Sequence, residues 1–107
     1  MRDRCQVCGR VKALMKDGAI VRHYFRGDLC LGTYNKPYSQ SGDALQEALE
    51  FWRRQRQRLD RRYLKHKDDR INEPLPAYFW EACLKASREE RRLTLRIQRR
   101  NKLLGAG

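Results

Sequence analysis

No stretch of this chain approaches the roughly 20 consecutive apolar residues that a membrane-spanning helix needs, and the opening MRDRCQVCGR lacks the apolar run of a secretory signal. A cytoplasmic protein with no membrane partner is therefore expected. Acidic residues are scarce, 13 against 25 Lys and Arg, which leaves a formal charge of +12 over 107 residues and favours a polyanionic partner, nucleic acid first. The marks of an enzyme are missing too: there is no phosphate-cradling glycine loop, no activated nucleophile and no paired carboxylates. A chain of this length builds only a thin core and is expected to need a staple.

The cysteines suggest what that staple is. In a reducing compartment four cysteines are poor candidates for structural disulfides, so metal binding or plain burial is the better account. Cys5 and Cys8 stand two residues apart, and His23 and Cys30 follow, giving Cys8-x14-His23-x6-Cys30. Three soft thiolates and an imidazole suit one tetrahedral zinc, and with all four positions supplied by protein the ion would be structural rather than catalytic. The segment VKALMKDGAIVRH reads as a β-hairpin turning at Asp17-Gly18, with Leu14 opposite Val21 and Lys12 opposite His23, so that the returning strand brings His23 back to Cys8. A redox dithiol is the competing reading of Cys-x-x-Cys, but glycine and a strand follow it here where a helix would be needed. Cys83 and His66 are rival ligands; both fall on apolar helical seams, where a packing role is the simpler account.

The composition changes near Ser41. Residues 1–40 hold three of the four cysteines and most of the glycines and form one expected module; residues 41–107 form the other, an antiparallel helical hairpin with helices at about 43–68 and 77–104. Asp43 with Gln46 resembles a capping box, with Ser41 as an alternative cap, and the second helix is expected to start after Pro76 and stop at GAG. Each helix carries a seam at steps of four and three: Leu45, Leu49, Trp52, Arg56, Leu59, Tyr63, His66 in the first, and Phe79, Cys83, Ala86, Glu90, Leu93, Ile97, Arg100, Leu104 in the second. Antiparallel pairing of the two seams sets Arg56 against Glu90, an ion pair expected to fix register more than to add stability. One hairpin satisfies both seams, and so would two hairpins paired as a four-helix bundle. The fold expected overall is small α+β: a zinc knuckle with a β-hairpin, then the long helical hairpin.

The pattern CQVCGRVKAL...DGAIVRH......CLGT resembles that of short zinc-finger proteins encoded by actinobacteria and their phages, over residues 5–33. That resemblance implies that Cys5, Cys8, His23 and Cys30 carry the metal and that Gly9, Gly18 and Gly32 occupy turn positions. Where that family tends to have proline after the last cysteine this chain has Leu31, and the family does not supply the helical hairpin.

A knuckle joined to a basic hairpin invites a nucleic-acid reading, with DNA or RNA held by Arg53, Arg54, Arg58, Arg61, Arg62 and Lys65 on the first helix and Arg88, Arg92, Arg96, Arg99 and Arg100 on the second. Near the knuckle, Arg10, Arg22, Arg26 and Lys36 mix with Tyr24, Phe25, Tyr34 and Tyr38, a combination suited to stacking on unpaired bases. For each of these residues the plain alternative is a solvated helix face or the small core around the metal. The second functional reading is a regulatory adaptor or inhibitor that docks its hairpin on a larger protein complex acting on nucleic acid.

Overall fold

The computed structural model describes residues 1–68 and 74–105. Four short strands, β1 (Arg2–Arg4), β2 (Val11–Ala13), β3 (Tyr24–Phe25) and β4 (Asp28–Leu29), precede two long helices, α1 (Asp43–Asp68) and α2 (Ala77–Leu103). The strands form two separate antiparallel pairs, β1 with β2 and β3 with β4, and the helices pack against one another as a hairpin. The result is a small α+β protein, elongated and flat, with extents of 55 × 31 × 16 Å. No described helix is long and apolar enough to cross a membrane.

The Asp17-Gly18 turn is present, but the expected pairing is one residue out. Leu14 bridges Ile20 rather than Val21, and Val21 N–H donates to Ala13 O. The loop holds three residues: Gly18 N–H donates to Met15 O at 2.9 Å, Met15 N–H to Ala19 O at 2.7 Å, and only Gly18, at φ 85°, needs the left-handed region. A two-residue turn would force Asp17 there as well, so the three-residue loop avoids that strain. The shift also decides which side chain turns inward, and Ile20 is fully buried. A second correction concerns β2, whose strand partner is the N-terminal segment Arg2–Arg4, paired Arg2 to Ala13 and Arg4 to Val11.

The start of α1 is held differently from the expected capping box. Gln46 N–H follows the helical pattern to Gly42 O. Ser41 Oγ accepts from Asp43 N–H, and Asp43 Oδ1 accepts from Ala44 N–H. The next donor is met from outside the helix: Leu45 N–H donates to Oε1 of Gln6, a residue between the first two cysteines. Gln6 is fully buried, and its Nε2 donates to Lys36 O at 2.8 Å and Asp43 Oδ1 at 3.0 Å. One amide thus joins the N-terminal module, the linker and the helix, satisfying a backbone donor that a helix start otherwise leaves open. These bonds to Gln6, Ser41 and Ala44 hold the Asp43 carboxyl below the ordinary carboxylate range.

The core runs from the N-terminal module into the near end of the helices: Val7, Ile20, Ala44, Leu45, Ala48, Leu49 and Leu93 cluster with Cys5 and Cys30, and Trp52 and Ile97 pack against them. Arg56 Nη1 lies 2.5 Å from Glu90 Oε2, and Arg53 Nε approaches Oε1 of the same carboxylate at 3.6 Å. The seam of α2 ends earlier than its spacing suggests: Arg100 turns away to donate to Tyr38 O, and Leu104 is exposed at the close of the helix, where Gly105 takes φ 71°.

Candidate metal centre

Two turns deliver the four ligand side chains. The first runs from Cys5 to Arg10: Gly9 N–H donates to Cys5 O at 3.1 Å, Cys5 N–H donates to Arg10 O at 3.0 Å, and Gly9 takes φ 77° so that the chain can reverse around the two sulfurs. The second is the β3–β4 hairpin, which carries one ligand at each end. Its two turn residues, Arg26 at φ 53° and Gly27 at φ 86°, both lie in the left-handed region, as the tightest hairpin requires. His23 comes immediately before β3 and Cys30 immediately after β4, and Cys30 N–H donates to His23 O at 3.0 Å. The stretch YFRGDL, residues 24–29, is the element that sets the distance between these two ligands.

The donor atoms of Cys5, Cys8, His23 and Cys30 all lie within 4.8 Å of one another. Cys5 Sγ and Cys30 Sγ are 3.7 Å apart, and Cys8 Sγ is 3.4 Å from His23 Nε2. Four donors about 2.0–2.3 Å from a shared centre, at tetrahedral angles, stand roughly 3.5–3.8 Å from each other, so these separations fit one tetrahedral ion. His23 Nδ1 is 2.8 Å from Val21 O and donates to it, which leaves the Nε2 lone pair directed at the sulfurs and fixes the ring. Thr33 braces the same residue through contacts to its backbone N–H and C=O. Gly32 packs directly on the site, where a β-carbon would come within 2.2 Å of Cys5 Sγ.

Without a cation three thiols cannot all ionise at this spacing. The bond between Cys30 and Cys8 favours the Cys8 thiolate and holds that thiol far below its ordinary range. Cys30 is pushed far up, first by its bond with Cys5. Cys5 also lies above its ordinary value: its bond with Cys30 pulls it down, but the bond with Cys8 and burial outweigh that. A divalent ion would supply the opposing charge and release the remaining protons. Among the described residues no other group of three or more His, Cys, Asp or Glu side chains converges in this way. Cys83, half-buried on α2, and His66, near the end of α1, lie outside the cluster.

The predicted nucleic-acid contacts divide sharply. Arg92 Nη1 donates to Val7 O, Arg96 donates from Nε to Gln6 O at 2.7 Å and from Nη2 to Cys5 O at 3.0 Å, and Arg100 Nε donates to Tyr38 O at 3.2 Å. The guanidinium of Arg92 lies over Phe25 and that of Arg96 over Tyr38, at 4.8 and 4.4 Å. Arg92 and Arg96 clasp the backbone of the Cys5–Cys8 turn, and Arg100 holds the segment at Tyr38 that leads toward α1. Glu89, buried, receives Arg92 and Arg26, and Lys85 pairs with Asp28. Lys85, Glu89, Arg92, Arg96 and Arg100 therefore make a second, polar seam on α2, at steps of four, three, four and four, facing the knuckle while the apolar seam faces α1. The sequence reading missed this seam because charges at helical spacing look like a solvated face; the signal was their unbroken period. Gly9 belongs to the same contact, since a β-carbon there would meet Arg96 Nη1 at 2.9 Å.

By contrast Arg10, Arg22, Arg54, Arg58, Arg61, Arg62, Lys65, Arg88 and Arg99 are exposed and make no ion pair among the described residues, and Arg53 is exposed but shares Glu90 with Arg56. Of the aromatics near the knuckle, Phe25 and Tyr38 lie beneath arginines, Tyr24 is exposed but lies under Arg22, whose Nη2 donates to its hydroxyl, and Tyr34 faces solvent. Comparison with protein-family models, curated proteins and solved structures returned no match to this chain.

Proposed function

We propose that this is a small zinc-stabilised nucleic-acid-binding regulatory protein, of the phage or mobile-element kind to which residues 5–33 bear a resemblance. Zinc is the ion assigned because a Cys3His donor set with closed tetrahedral spacing suits a d10 cation, and the ion's role is structural. The observation that carries the binding reading is the outer face of α1, where Arg54, Arg58, Arg61 and Lys65 recur at steps of four, three and four, all exposed and without an acidic partner among the described residues. Eleven residue steps of helix, from Arg54 to Lys65, present a ladder of cations about 16 Å long. Such a ladder meets phosphates without reading bases, so it supports affinity that is strongly dependent on salt and weakly dependent on sequence.

Electrophoretic shifts of labelled DNA and RNA at about 50 and about 200 mM salt test this. The expected result is binding at the lower concentration that weakens steeply at the higher, and weakens further when Arg54, Arg58 and Arg61 are replaced by Ala. Absence of binding at the lower salt sinks the reading.

A second reading rests on a different observation. A cleft of about 410 Å³ lies between the β3–β4 hairpin and the helices, lined by Leu29, Leu31, Phe51, Trp52, Leu59 and Ala82 among others. Aliphatic and aromatic lining of that size favours an apolar segment of a protein partner, in which case the chain is an adaptor or inhibitor within a larger complex. Pull-down from host lysate after nuclease treatment separates the two readings, because a partner retained without nucleic acid, and lost on Leu59→Glu, belongs to the cleft.

A further inference from the structure

The end of the helical hairpin farthest from the metal ligands carries an exposed aromatic patch that the arginine ladder does not explain. Tyr63 is 42 % exposed, Tyr78 61 % and Trp80 52 %, with Leu64 and Leu84 beside them. An apolar surface of this kind is uncommon on a protein that leaves it in water, and here nothing from the chain's N-terminal module covers it. The rings are held in place. Trp80 meets Tyr63 edge-on at 6.0 Å between centroids and buried Phe79 at 5.1 Å, so its indole is buttressed on the protein side while half of its surface remains open. Arg62 lies over Tyr78 at 5.7 Å, and its Nη2 donates to the Tyr78 hydroxyl. Arg61, Lys65 and Lys67 stand on the same turns of α1; among the described residues the acids nearby are Asp60, Asp68 and Glu81, and none of these three pairs with these cations.

We infer that this end of the hairpin is a stacking platform for single-stranded nucleic acid, with Trp80 and Tyr63 taking a base and Arg61, Arg62 and Lys65 the flanking phosphates. The inference rests on the nucleic-acid reading above and makes it narrower. A duplex keeps its base faces inside the stack and gains nothing from an open indole, whereas an unpaired base of any sequence can lie against one. Fixed aromatics beside cations therefore favour a single strand over a duplex. They also favour it over a protein partner, which would give the cations no matching array of phosphates. The placement moves the main stacking surface away from the knuckle, where Tyr24, Phe25 and Tyr38 already lie beneath arginines and Tyr34 alone of the four aromatics is open.

The test uses the purified full chain with Trp52→Phe, which leaves Trp80 as the sole tryptophan. Oligo-dT and a mixed-sequence duplex of equal length are titrated at about 50 mM salt while Trp80 emission is followed. The expected result is strong quenching by oligo-dT and little by the duplex. Trp80→Ala in the otherwise native chain should weaken oligo-dT binding about tenfold or more while changing duplex binding by less than twofold, and Trp80→Phe should restore most of the loss. Equal loss for both nucleic acids, or unaltered oligo-dT binding in Trp80→Ala, overturns the platform and leaves the arginine ladder standing. If neither nucleic acid binds, the parent reading fails, and the platform with it.

Discussion

At the end of the helical hairpin near Asp43 and Arg100, Arg92, Arg96 and Arg100 of α2 lie half-buried against backbone carbonyls and aromatic rings; at the end near Asp68 and Ala77, Arg61 and Arg62 of α1 stand in solvent beside exposed aromatics. The difference comes from the N-terminal module. Where the knuckle covers α2, its turn presents the Val7 and Gln6 carbonyls, which strand pairing leaves unmet, and the Cys5 carbonyl, which already accepts from Gly9 N–H, and guanidinium groups with planar, fixed donors bond all three. Where nothing covers the helices, the same side chains keep their charge for a partner. An arginine-rich helix is thus two surfaces, and composition alone does not say where one ends.

The comparison breaks most completely if the knuckle is opened. Cys5→Ser or Cys30→Ser removes one of the four candidate ligands, and if the site holds zinc as proposed, an ion that contributes on the order of 10 kcal/mol to folding in small metal modules, residues 1–40 should lose protection from hydrogen exchange and α1 should fray from Asp43. Gly32→Ala should do much the same without touching a ligand, because its β-carbon collides with Cys5 Sγ. Next in size, Arg96→Ala strips two carbonyls of charged donors and should cost roughly 2–3 kcal/mol by denaturant unfolding. Arg58→Ala should change stability by less than about 0.5 kcal/mol and instead lower the salt slope of nucleic-acid binding by about one. Equal stability losses for these two variants would erase the distinction between the ends.

A smaller effect is expected at the joint. Gln6→Ala leaves Leu45 N–H without its acceptor and should cost about 1–2 kcal/mol. It should also let the Asp43 carboxyl rise toward its ordinary value, measured by NMR titration, because the Gln6 amide is the chief group holding it down. The sign follows from linkage. A lowered folded value means that Asp43 stabilises the native state above the ordinary carboxylate range, near 3.9, and that this contribution is lost as pH falls through the lowered value; the variant should lose less over that window. Smallest is the Arg56–Glu90 pair. Arg56 is about half exposed, so a double-mutant cycle should give a coupling of about 0.5–1 kcal/mol, and zero coupling would remove the contact as a register-setting device.

Much of this architecture is legible in the residues. The helices run Asp43–Asp68 and Ala77–Leu103, where periodicity and punctuation set them at about 43–68 and 77–104, because heptad spacing is a local signal that the apolar seam enforces. Steps of four and three also bring Arg56 to Glu90, and the ligand spacing converges on one point. What escaped was non-local or polar. β1 is three residues of Arg-Asp-Arg with no strand pattern, paired only because β2 lies beside it. The hairpin register depended on whether Asp17 would accept a left-handed conformation, which the dipeptide Asp-Gly does not reveal. Gln6 caps a helix 39 positions away, a role no local motif announces. Among the arginines, the polar seam was visible as a period but indistinguishable by type from the ladder on α1.

The proposed role of the knuckle depends on one ion joining Cys5, Cys8, His23 and Cys30. Metal analysis of the purified chain, beside Cys83→Ser and His23→Ala, tests that most directly. The account predicts about one zinc per chain, retained in Cys83→Ser and lost in His23→Ala. A chain that folds with no metal, or one that keeps its zinc without His23 and loses it without Cys83, would contradict it.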